Sequence, residues 1–144
     1  MNTPLRIATL STAIAAAALA GCAHHTHLGA PHRIALSGGS EVPPVTTPAS
    51  GSGTVTVHAD CKVHAHITVT GMTATMAHIH EGAAGTNGPP IVTLNKTADN
   101  VFHAPAGAKL TEGQCATHRA GGTYVNVHSA KHPGGEIRAQ LTNR

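Results

Sequence analysis

The chain has 144 residues and a formal net charge of +3, with 10% charged residues, one Phe, one Tyr and no Trp. That length holds one domain of ordinary size and not two. The charge includes Arg6, leaving about +2 from residue 22 onward, without basic runs or aromatic-basic interleaving, so nucleic-acid binding is excluded; the residue in excess is histidine, 13 against 9 Lys plus Arg.

The first elements are not part of the fold. Arg6 is followed by an Ala-, Ile- and Leu-rich stretch broken by Thr9, Ser11 and Thr12. It falls short of the roughly 20 apolar residues of a spanning helix and reads as a secretory signal. Its end, Leu19-Ala20-Gly21-Cys22, resembles the lipobox of bacterial lipoproteins. The resemblance implies removal of residues 1–21, lipid on Cys22 and, with the non-acidic Ala23 next, an outer-membrane address in the cell envelope. Residues 22–32, with "AHHTHLGAPH" after the cysteine, lack apolar periodicity and read as a histidine-rich tether. The domain is expected over 33–144.

From Arg33 the pattern has period two with Gly/Pro punctuation, which predicts an antiparallel all-β domain. Strands are expected at "RIALS", "GTVTVHA", "CKVHAHITVT", "TMAHIH", "PIVTL" and "TYVNVHS", with a last one after the Gly-Gly turn in "HPGGEIRAQL". The cleanest alternation sets Val63, Ala65, Ile67 and Val69 against His64, His66, Thr68 and Thr70. These are enough strands for a β-sandwich. One segment breaks the period: Thr111-x-x-Gln114 fits a capping box and Gly121-Gly122 a helix stop, predicting a short helix near 112–119. With so few aromatic residues the core must be Val, Ile, Leu and Ala. Once Cys22 carries lipid, Cys61 and Cys115 remain as an even pair in an exported protein, where a disulfide persists and the alternative is two free thiols.

Four stretches together resemble the CHRD domain family, named for chordin and found in many bacterial exported proteins. They are "LSGGSEVPPVTTPASGSGTVTV", "AHIHEGAAGTNGPPIVTL", "YVNVHS" and "HPGGEIRAQL". The resemblance covers roughly residues 33 to 144 and implies a β-sandwich of immunoglobulin-like or Cu,Zn superoxide dismutase-like character. It implies no established activity. His64-Ala65-His66, Cys61 and Cys115 are not part of the matching motifs.

The histidines carry the chemistry. Residues i and i+2 of a strand project from one face about 6.5–7 Å apart, so His78-Ile79-His80 can lean onto one ion. A complete site needs three or four ligands. His128, on the polar register of its strand, is the natural third if that strand neighbours the first. His64 and His66 form a second pair, and His58, His103 and His132 are further candidates. An all-imidazole set suits copper(II) or zinc, Met72 and Met76 could serve copper(I) or simply fill the core, and Glu81 could accept from an imidazole N–H. The competing reading is that all these histidines are the solvent-facing polar side of ordinary strands, as is expected for lone ones such as His58 or His118.

Three functions follow: an envelope-anchored copper or zinc binder, a copper superoxide dismutase-like enzyme with Arg138 or Arg119 guiding an anion, or an interaction module without metal. In the last, Glu41-Val42-Pro43-Pro44 and Gly134-Gly135-Glu136 would serve the fold alone. Hydrolytic chemistry has little support, for Gly-x-Ser-x-Gly and His-Glu-x-x-His are missing from the sequence.

Overall fold

The computed structural model describes residues 29–142. The signal segment, Cys22 and the tether up to residue 28 lie outside the described residues. Eight strands and one helix follow in order: β1 His32–Ser37, β2 Ser50–Val57, β3 Val63–Thr70, β4 Ala74–Glu81, β5 Pro90–Ala98, β6 Val101–His103, α1 Glu112–Arg119, β7 Thr123–Ser129 and β8 Ile137–Leu141, with a 3-10 turn at Gly38–Ser40. All strand pairs are antiparallel.

The sheet closes into a barrel in the order β1-β2-β3-β6-β5-β4-β7-β8, which corrects the expectation of two facing sheets. Two short seams make the difference. β6, a three-residue strand that the sequence pattern does not announce, pairs with both β3 and β5. On the other side Ser37 pairs with Arg138 to join β1 to β8. Eight strands enclose an interior just wide enough to be filled by side chains. Here Val55, Ile67, Ala77, Ile79, Phe102, Val125, Val127 and Ile137 fill it, each fully or almost fully buried. Small branched residues permit that curl, and the chain's one Phe sits on the strand that closes the seam.

Each strong local signal has its expected structure. β3 alternates buried and exposed residues along its whole length, as its Val/His pattern requires. The Thr111 side chain accepts from the Gln114 N–H at 3.2 Å and the Gln114 side chain accepts from the Thr111 N–H at 2.9 Å, closing both halves of the capping box. Gly121, at φ 76°, ends the helix in the left-handed region that glycine adopts without cost. Cys61 and Cys115 form the disulfide, with Cα atoms 5.8 Å apart. It ties α1 to the β2–β3 turn, where the Leu110 N–H also donates to the Cys61 carbonyl.

β7 departs from simple alternation, being buried at all seven positions. Val125 and Val127 face the barrel interior. Tyr124, Asn126 and His128, on the outer side, are covered by loops. A strand buried on both faces and lying between β4 and β8 is the scaffold of the site.

Candidate metal centre

β4 and β7 are neighbours, with Met76 opposite His128, His78 opposite Asn126 and His80 opposite Tyr124. Because Ala77 and Ile79 point into the core, His78 and His80 project outward on the side that carries His128. Ring centroids lie 4.8 Å apart for His78 and His128, 5.5 Å for His78 and His80, and 6.3 Å for His80 and His128. One nitrogen from each ring falls within 4.8 Å of the others, so the three residues could hold a metal ion.

The polar side of these strands is not the solvent face that alternation suggests. His80 is 8% and His128 6% exposed, while His78 is half-buried. His80 Nδ1 is 2.8 Å from the Gly88 carbonyl and His128 Nδ1 is 2.9 Å from the Pro133 carbonyl. A carbonyl only accepts, so both Nδ1 atoms carry protons and both Nε2 atoms keep lone pairs. The His128 lone pair receives the His78 Nδ1–H at 2.9 Å. The His80 lone pair is buried and has no hydrogen-bond partner. Outer acceptors that fix tautomer and ring direction are the usual support of histidine metal ligands, and this donor set fits a cation.

Electrostatics keeps the cluster neutral. Burial, and then the proximity of His128 and His80, pushes His78 down to about 4. Burial lowers His80 as well, against the pull of the Gly88 carbonyl that accepts from its Nδ1. His128 is lowered by burial, against the pull of Pro133. Three imidazoles unprotonated near neutral pH meet the first requirement of metal ligation.

The loops that bury the site are held from β8. Arg138, 1% exposed, donates to Asn87 Oδ1 at 3.1 Å and to the Thr86 carbonyl at 2.8 Å, and its guanidinium lies 3.4 Å from the Tyr124 ring centroid. The His80 ring stacks on the same tyrosine, with centroids 4.8 Å apart. Gln140 donates to the Gly82 and Gly121 carbonyls at 2.9 and 2.8 Å. Gly88 is required where it is, since a Cβ there would run into the Glu81 carbonyl. Behind this layer Glu41 is 5% exposed, with Oε1 unpartnered, beside Asn126 and the backbone of Gly135. Burial outweighs the attraction of Arg138 and the Val42 N–H and raises its carboxyl to about 7.

The remaining expected ligands lie elsewhere. His64 and His66 are exposed on β3, three strands from β4 around the barrel. His66 stacks on His103 at 4.6 Å, His64 meets His58 edge-on at 5.0 Å, and His103 Nδ1 bonds Thr97 Oγ1 at 2.8 Å. His132, in the turn after β7, stays outside the trio. His118 is buried, not solvent-facing, and hydrogen-bonds Thr123 Oγ1 at 2.8 Å. Glu81 accepts from Thr117 at 2.7 Å and does not serve an imidazole. Arg138 is engaged by the covering loops, and Arg119 reaches the disulfide at Cys61 Sγ, 4.0 Å away.

Tyr124, Asn126 and Glu41 shape the site without having been expected there, and Arg138, expected as an anion guide, holds its loops instead. The signal for Tyr124 and Asn126 is their polar register beside Val125 and Val127, and for Glu41 the rarity of charge in this chain. The fold and its covered face define an all-β barrel domain with a preassembled histidine cluster. The chain belongs to the CHRD domain family, whose model matches residues 32–141. No curated protein and no solved structure matches it.

Proposed function

We propose that this CHRD domain is a transition-metal binding module, holding one copper or zinc ion through His78, His80 and His128 and displayed in the cell envelope on a lipid carried by Cys22. The observation that carries the reading is the pair of Nδ1–H bonds to backbone carbonyls. They aim two Nε2 lone pairs at a common region beside His78 and leave that of His80 unpaired in a buried place. All-imidazole coordination without thiolate or carboxylate suits copper or zinc and not calcium or magnesium. The lipobox resemblance supports the anchor, and the role that follows is buffering or passing on metal outside the cytoplasm.

The test is copper and zinc stoichiometry by elemental analysis after exposure to each ion and desalting, for the parent chain and for a His78→Ala/His128→Ala variant. Near-stoichiometric metal in the parent, lost in the variant, is the expected result. Retention of neither metal by the parent would leave the domain an interaction module. Mass analysis of the N-terminal peptide from the bacterial membrane fraction tests the anchor separately.

A further inference from the structure

Three histidines leave a four-coordinate ion one ligand short, and the sheet register supplies a candidate. Met76 is the direct cross-strand partner of His128 and lies two residues before His78, on the outward side of β4. Directly opposed residues have Cβ atoms about 4.5–5.5 Å apart, within reach of a long side chain. With three rotatable bonds the methionine thioether can swing over that distance.

The two internal methionines differ. Met72 is half-buried against the hydrophobic core and fills space there. Met76 is 48% exposed and is the only large apolar side chain so exposed among the described residues. It is not part of the core, and it stands on the outward side of β4, two residues from half-buried His78.

Charge points the same way. The cluster has only neutral donors and no carboxylate among them. Arg138 and His80 both lie against the Tyr124 ring, so a positive charge stands close to the cluster. The cost of desolvating an ion rises with the square of its charge, so a largely buried neutral site near a guanidinium favours a monovalent guest over a divalent one. A thioether is a soft ligand that prefers copper(I) to zinc.

We propose that Met76 Sδ is the fourth ligand and that the cargo of the site is copper(I). This rests on the histidine reading above. The exposed thioether closes the coordination, where it can leave and return while the carbonyl-held rings of His80 and His128 stay fixed, so copper is exchanged past Met76.

The experiment is a copper(I) competition titration against a coloured chelator, beside a zinc titration, for the full chain and for Met76→Leu. Both carry Cys22→Ser so that no free thiol competes, and ascorbate is the reductant because it leaves the Cys61–Cys115 disulfide intact. Met76→Leu should weaken copper(I) by about tenfold or more, at the low end of what even outer-sphere partners of a metal site command, with zinc affinity changed less than copper(I) affinity. The copper(I) absorption spectrum of the parent should show a sulfur scatterer that the variant lacks. Equal copper(I) affinity in parent and variant, with no sulfur in the parent spectrum, would overturn the role of Met76 and leave the histidine site standing. A parent that holds neither ion would overturn both.

Discussion

This barrel carries the same three-residue pattern twice, and the two copies have different fates. His64-Ala65-His66 on β3 and His78-Ile79-His80 on β4 both alternate with core residues and both point outward. On β3 the rings stand in the open, pairing with His103 and His58 and with no outer acceptor beyond the Thr97 hydroxyl on His103. On β4 a neighbouring strand buried on both faces contributes His128, and covering loops contribute the carbonyls that orient two of the rings. What makes a pair of strand histidines a candidate ligand set is therefore the layer above the strand, not the pair itself.

The comparison breaks most sharply at Arg138, which holds that layer down. Arg138→Leu keeps the apolar stem and removes the donors, leaving the Thr86 carbonyl and Asn87 Oδ1 without their partner. Hydrogen bonds from charged donors are worth about 1.5–3 kcal/mol each, so an unfolding free energy lower by about 3 kcal/mol is expected in urea titration. The freed loop should also release Gly88 from His80, so metal retention should drop in the surviving folded protein. A variant as stable as the parent would mean that the loops cover β7 without help from β8.

A smaller effect, set by pH, separates the covered groups from one another. His78 and His118 both titrate near 4 in the folded chain, against an ordinary value of 6.5. Each binds its proton more readily when unfolded, so its contribution is complete above about 6.5 and is lost as the pH falls toward 4. Glu41 runs the opposite way: its folded value of about 7, against 4.5, favours the fold at low pH and is lost as the pH rises through that interval. Between pH 4.5 and 6.5 the two histidines outweigh the one carboxyl. Metal-free protein should lose on the order of 1 kcal/mol per pH unit on acidification there, and Glu41→Gln should steepen the loss. A flat profile in the parent would show that these groups are more open to water in solution than their packing implies.

Sequence patterns reach some of these features and not others, for physical reasons. The helix is legible because its caps are local chemistry, Thr111 to Gln114 and then Gly121. The disulfide follows from cysteine arithmetic, and the histidine trio from period two plus the polar register of His128. β6 is not legible, since three residues cannot show a period; with it goes the closure of the barrel, which depends on two short seams between strands distant in sequence. The burial of His80 and His128 is hidden too, because alternation says which side a residue faces but not what covers that side. The acceptors that orient the rings are main-chain carbonyls of Gly88 and Pro133, and a carbonyl has no letter in the sequence. Glu41 sits in the Glu-Val-Pro-Pro loop, which reads as a turn device; its carboxyl lies buried beside Asn126 because the loop folds back over β7.

The smallest effect belongs to the uncovered pair and gives the comparison its control. His64→Ala/His66→Ala removes two exposed rings whose contacts are ring faces and edges at the surface. Exposed substitutions away from caps, cores and buried networks stay within about 0.5 kcal/mol, so the urea midpoint and slope should both match the parent. Bound metal per chain should match as well, because neither residue belongs to the trio. If instead the variant lost part of its metal while His78→Ala/His128→Ala lost the rest, the open pair would bind without an oriented outer layer. Preorganisation by the loops would then count for less than the mere spacing of two imidazoles on a strand.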